Sequence, residues 1–147
     1  MPRPSRGGEL YPVVAYGIEF SNYSVDRNGN VYSFMKDQPF ILKKQVHATS
    51  RYPYVRVRFE GNTYNVRLHR LVAETFIPRP KPKQLRKKIW DAMTDSEKAY
   101  ITQSYQVNHI DHDVENYSIS NLEWVSASEN LQKKCDFYNH NSYRKAA

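Results

Sequence analysis

A single cysteine, Cys135, stands in 147 residues, which excludes an intrachain disulfide framework and any zinc centre built from several thiolates. In its helical context that cysteine is expected to pack inward. No run approaches the roughly 18 apolar residues that cross a bilayer. The polar segment Met1 to Leu10 lacks the apolar centre of a secretory signal. The expected location is the cytoplasm, with no membrane partner. Internal repeats and low-complexity tracts are missing too, as is any sustained heptad stripe, so a monomer is expected.

What the chain does have is positive charge. Its 22 Lys/Arg against 15 Asp/Glu leave a formal charge of +7, a balance that favours a polyanionic partner because neutralising phosphates releases counterions. The distribution says more than the total. Between Val107 and Asn130 there is no Lys or Arg, but five acids: Asp111, Asp113, Glu115, Glu123 and Glu129. A basic body thus surrounds one acidic, His/Asn-rich segment. Cations suit a phosphate backbone, and oxygen donors suit a hard metal ion.

The length fits one domain, or two very small ones sharing a core. After a leader at residues 1–10, Tyr11 to Phe34 reads as a strand, a turn at Asp26-Arg27-Asn28-Gly29-Asn30, and a second strand from Val31. A short strand is expected at Phe40 to Lys43. From Tyr54 to Leu68, Val55, Val57 and Phe59 alternate with Tyr54, Arg56 and Arg58. After Glu60-Gly61-Asn62, Tyr64, Val66 and Leu68 alternate with Asn65 and Arg67. Period-two alternation predicts a hairpin with one apolar face and one carrying Arg56, Arg58 and Arg67. That second face is either an ordinary solvated surface or a nucleic-acid contact, since arginine grips phosphate with two parallel hydrogen bonds.

His69 to Ile77 is expected to be a short helix, with His69 structural. Pro78, Pro80 and Pro82 then alternate with Arg79, Lys81 and Lys83, and should run extended. The six cations Arg79, Lys81, Lys83, Arg86, Lys87 and Lys88 make the densest basic run, either a solvated face or a backbone contact. Leu85, Ile89 and Met93 sit four apart and predict an amphipathic helix over Lys83 to Met93. Thr94 and Glu97 match a capping box that opens a further helix to about Ser104.

Val107-Asn108-His109-Ile110-Asp111-His112-Asp113 leads through Asn116 to Asn121-Leu122-Glu123-Trp124-Val125, then to Ser126-Ala127-Ser128-Glu129-Asn130. Leu122 and Trp124 alternate with Glu123 and Val125, as in a strand. Ser126 and Glu129 form another capping box, so a helix is expected from Ala127, with Leu131 and Cys135 as its buried stripe and Trp124 in the core. The order is strand, long loop, strand, helix.

These words, taken in order, resemble the HNH endonuclease family, specifically its phage and intron-encoded homing branch. His69-Arg70-Leu71-Val72-Ala73-Glu74-Thr75-Phe76-Ile77 looks like the helix that precedes the motif there. Tyr23-Ser24-Val25-Asp26-Arg27-Asn28-Gly29-Asn30-Val31-Tyr32-Ser33 resembles the small N-terminal DNA-binding module that accompanies such nucleases. The resemblance implies a ββα-metal motif, matching the order read from the residues. The expected architecture is α+β: a leader at 1–10, a β-rich DNA-binding module at 11–78, a basic helical insertion at 79–106, the nuclease motif at 107–138, and a tail at 139–147.

By that resemblance, His109 matches the base that deprotonates the attacking water, and Asn121 the asparagine that supports the loop and orients that histidine. Asn108 and Asn130 match metal ligands. Asn108 falls where many relatives carry an aspartate; its neutral amide oxygen still suits Mg²⁺ or Mn²⁺ but binds more weakly. Asp111, Asp113 or the phosphate itself then completes the shell. The implied reaction is hydrolysis of double-stranded DNA to 5′-phosphate and 3′-hydroxyl ends, with one divalent ion and no small-molecule cofactor. Arg56, Arg58, Arg67, Lys81, Lys83, Arg86, Lys87 and Lys88 are the candidate DNA contacts. Two other readings stay open: a DNA-binding protein with a decayed metal site, and a ribonuclease or nuclease of low specificity. Taken alone, His109 reads as a hydrogen-bonded strand histidine, and His109-x-x-His112 as a zinc pair lacking further ligands.

Overall fold

The computed structural model describes residues 8–127 together with Glu129, Gln132, Cys135 and Asp136. The chain divides into two compact units. One comprises the residues up to Pro78 with His109–Glu123; the other comprises Arg79–Asn108 and the residues from Trp124 onward.

The first unit holds two antiparallel sheets. In one, β1 (Tyr11–Ala15), β2 (Ile18–Val25), β3 (Val31–Ser33) and β4 (Phe40–Ile41) pair in chain order. In the other, β5 (Gln45–Val46), β6 (Pro53–Phe59) and β7 (Asn62–Arg67) do the same. Val55, Val57 and Val66 are fully buried, so the alternation of the hairpin sets its inner face as read. Across the ladder Tyr54 faces Arg67 and Arg56 faces Asn65.

Helix α1 (Leu68–Phe76) starts directly from β7 and buries Leu68, Leu71, Val72 and Ala73. It packs on β1, β6 and β7. Burying four such side chains at about 25 cal/mol per Å² of apolar surface is what holds a nine-residue helix that has no side-chain N-cap.

The segment from Tyr11 to Val25 is not one strand but a hairpin. The chain reverses at Tyr16 and Gly17, both with positive φ (54° and 73°). A tyrosine in that conformation hides the reversal, because such turns favour Asn-Gly or Asp-Gly. The stabilising group is distant in sequence: the Glu74 carboxylate on α1 accepts hydrogen bonds from the Tyr16 and Gly17 amides. Strand β4 is shorter than expected, and β5 is an added edge.

In the second unit, the amphipathic reading over Lys83 to Met93 shrinks to α2 (Lys87–Ala92). Its cap, Arg86, has extended backbone, and Ile89 is 51% exposed, so the stripe has no core to bury in. Helix α3 (Asp95–Thr102) opens on the full Thr94–Glu97 capping box. Trp124 is buried, with the Arg79 guanidinium 4.2 Å from its ring centroid. The third sheet is the pair β8 (Gln106–His109) and β9 (Leu122–Val125).

After β9, Ala127, Glu129, Gln132, Cys135 and Asp136 are helical, and Ser126 Oγ accepts from the Glu129 amide at 3.2 Å. The order strand, loop, strand, helix therefore holds. Cys135 is exposed rather than packed inward, a correction to the stripe expected of that helix. Leu131 and the tail 139–147 lie outside the described residues.

Candidate functional site

His109 closes β8 and is 6% exposed. The loop that follows turns at once: the Ile110 amide donates to the Asn121 carbonyl at 2.8 Å, and the His112 amide to the His109 carbonyl at 3.0 Å. Positive φ at His112 (63°) completes the reversal.

Asn121, at the end of a single 3-10 turn (Ile119–Asn121), is the organising residue of this loop. Its Oδ1 accepts from the Asp111 amide at 3.1 Å, while its Nδ2 donates to Asp111 Oδ1 and to the Asn116 carbonyl, both at 2.9 Å. The side chain is thereby spent on the loop and makes no hydrogen bond to the imidazole. Asp111 is spent in the same way, accepting from the Asp113 amide at 2.8 Å and from Asn116 Nδ2 at 2.9 Å. Hydrogen bonds from Asn116, the Asp113 amide and Asn121 hold its carboxyl below the ordinary carboxylate range, and His109 adds to that.

Around the imidazole the first unit builds a cluster of tilted rings. The Arg67 guanidinium lies 4.6 Å from the Tyr52 ring centroid; Tyr52 lies 4.9 Å from His69, and His69 lies 5.0 Å from His109. Tyr52 also reaches His109 at 5.8 Å. Burial pushes His109 below its ordinary pKa, against the pull of Asp111 and Asp113. Burial, with His109, Arg67 and Arg70 nearby, lowers His69 to about 3. Both rings are therefore neutral at neutral pH, and His109 can accept a proton. Reasoning from sequence left His69 as a structural residue and did not single out Tyr52. The available signal was a polar ring placed one residue into α1, immediately after an arginine-bearing strand.

The connections between the preceding strands also grip the loop. Tyr117 lies against the turn at Gly29, Lys44 Nζ sits 5.0 Å from its ring centroid, and Arg51 pairs with Glu115 at 3.3 Å.

A family model of HNH endonucleases matches residues 66–132. That stretch belongs to the HNH endonuclease family. The fold is also similar to a solved structure of the HNH homing endonuclease I-HmuI, described for DNA binding and cleavage, at a TM-score of 0.59 and 23% identity. The match covers 87% of this chain and 58% of that one, so this chain spans less than two thirds of its neighbour's length. No curated protein matches the chain.

Within the HNH stretch, Asn108 sits on β8 beside His109 and is half-buried. Asn130 lies outside the described residues. Among the described residues no three His, Cys, Asp or Glu side chains cluster as a metal site; the one expected ligand they include, Asn108, carries an amide oxygen. Such donors fit Mg²⁺ or Mn²⁺ rather than a thiophilic ion. The commitment of Asp111 to the loop argues against it as the group that completes a metal shell.

The arginine face of the β6–β7 hairpin is partly enclosed. Arg56 and Arg58 line a groove of about 560 Å³ with Tyr23, Met35, Lys36 and Phe40, and Arg56 Nε donates to Asn65 at 3.3 Å. In the second unit, Lys83 pairs with Glu129 at 3.8 Å and Lys87 with Asp91 at 3.4 Å, all on exposed side chains. Lys81 is different: its ammonium donates to the carbonyls of Leu85 (2.6 Å) and Pro82 (3.0 Å). Arg86 and Lys88 are exposed.

Proposed function

We propose that this chain is a metal-dependent DNA endonuclease of homing type, hydrolysing double-stranded DNA to 5′-phosphate and 3′-hydroxyl ends. The observation that carries the reading is His109, a neutral, buried imidazole ending β8 inside an HNH stretch. A neutral imidazole takes the proton of an attacking water, a contribution of roughly 10²- to 10⁴-fold. Asn121 acts at one remove, by fixing the loop that leaves His109. Asn108 and Asn130 would hold one divalent cation, Mg²⁺ or Mn²⁺, which would supply positive charge for the phosphate and the departing 3′ oxygen.

The rest of the chain holds the substrate. Residues 11–78 form the N-terminal DNA-binding module, and residues 79–106 an inserted basic unit. Arg56, Arg58, Arg67, Lys83, Arg86, Lys87 and Lys88 supply phosphate contacts that position the duplex. Lys81 leaves this set, because its ammonium is held by two backbone carbonyls.

Nicking of supercoiled plasmid with Mg²⁺ or Mn²⁺, run beside His109→Ala and repeated on RNA, tests the reading. Cleavage of DNA by the parent and loss in the variant are expected. Binding without nicking in either metal identifies a DNA-binding protein instead, and equal cleavage of RNA a nuclease of broader substrate.

A further inference from the structure

His69 is not used by the reaction just described, yet it is the ring against which His109 rests. Two nitrogens in this pair, His69 Nδ1 and His109 Nε2, are sealed from solvent and have no hydrogen-bond partner among the described residues. A buried polar atom without a partner is costly and uncommon. Here the two occur on neighbouring rings with centroids 5.0 Å apart and planes inclined at 47°. Each is what the other lacks, since a neutral imidazole offers one N–H and one lone pair.

We propose that His69 is a positioning residue for His109: packed against both Tyr52 and His109, it sets the plane of the His109 ring, and its Nδ1 accepts the Nε2–H, leaving the Nδ1 lone pair of His109 to face the attacking water. The nitrogen that carries the proton is set by the hydrogen bond the other ring nitrogen makes, and the neighbouring ring of His69 carries the other sealed nitrogen of the pair. The neutrality of His69 agrees with an acceptor role, because burial and the flanking Arg67 and Arg70 disfavour its protonated form. This assignment rests on the reading of His109 as the base.

Two variants separate the acceptor from the ring. His69→Phe keeps an aromatic plane and removes the acceptor; His69→Asn removes the plane and keeps an amide oxygen near the position of Nδ1. In plasmid nicking, His69→Phe should lose on the order of 10- to 100-fold in kcat, the range seen when an orienting partner is removed, with KM for DNA unchanged. His69→Asn should recover most of that loss.

A second measurement does not depend on turnover. Imidazole ¹⁵N spectra of the metal-free protein, assigned with His109→Ala, should show His109 as the Nε2–H tautomer in the parent and as a mixture in His69→Phe. An Nδ1–H tautomer in the parent overturns the proposal, as does a His69→Phe variant that cleaves at the parental rate. If the spectra follow the expectation while the parent cleaves neither DNA nor RNA, the nuclease reading fails and the pairing stands.

Discussion

The phenol ring of Tyr117 lies so close to Gly29 that a β-carbon there would sit 2.6 Å from Cε2 and 3.0 Å from Cδ2. Gly29 also has φ +81°, a region that side-chain-bearing residues enter only with strain. Gly29→Ala should therefore destabilise the protein by about 1–3 kcal/mol, from strain and overpacking together. Thermal unfolding measures it. Adding Tyr117→Leu should return the packing part and leave the backbone part, so the double variant falls between the parent and Gly29→Ala.

Asn121 supports a different contact set. Asn121→Ala strips a partner from the Asp111 amide, Asp111 Oδ1 and the Asn116 carbonyl, and should lower the unfolding midpoint. Asn121→Asp should be worse than alanine, because a carboxylate then faces Asp111 where a donor stood. Both should nick plasmid more slowly than the parent, with the order Asn, Ala, Asp. Equal unfolding midpoints for the two variants would contradict the geometry.

Acid stability follows from the histidine pair. Folding lowers His69 from the ordinary 6.5 to about 3, and His109 is also lowered. The unfolded chain therefore takes up protons that the native state refuses, and stability falls as pH drops below 6.5. For His69 the loss continues down to about pH 3 and then levels. Urea midpoints between pH 6.5 and the onset of carboxylate titration should fall in the parent, and less steeply in His69→Phe.

DNA affinity should report which cations are free to act. Each phosphate neutralised contributes roughly −0.9 to the slope of log K against log salt. Arg86→Gln and Lys88→Gln should each flatten that slope, whereas Lys81→Gln should leave it unchanged, its ammonium being tied to Pro82 and Leu85. Fluorescence anisotropy on a short duplex across a salt series separates them.

What was legible in the sequence was local. The β6–β7 hairpin, α1, the Thr94 capping box and the succession of β8, loop, β9 and helix each announce themselves within about a dozen residues through periodicity or turn chemistry. The misreadings come from long-range chemistry. Tyr16 and Gly17 turn because Glu74 offers its carboxylate to their amides, and the stripe Leu85, Ile89, Met93 fails to make a full helix because Ile89 has no core to bury in. In the site, the position of His109 could be read from its neighbours, but the His69 and Tyr52 rings reach it only through tertiary packing.

The grip of Gly29, Lys44 and Arg51 on the loop from Asp111 to Asn121 bears on how this segment can be moved between proteins. The loop is not a cassette: cut out and spliced into a foreign scaffold, it would leave behind the turn against Tyr117, the partner of Glu115 and the rings beside His109. A crossover placed before Gly29 would keep these contacts within one parent, whereas any crossover between Gly29 and His109, one after Pro78 included, would split them.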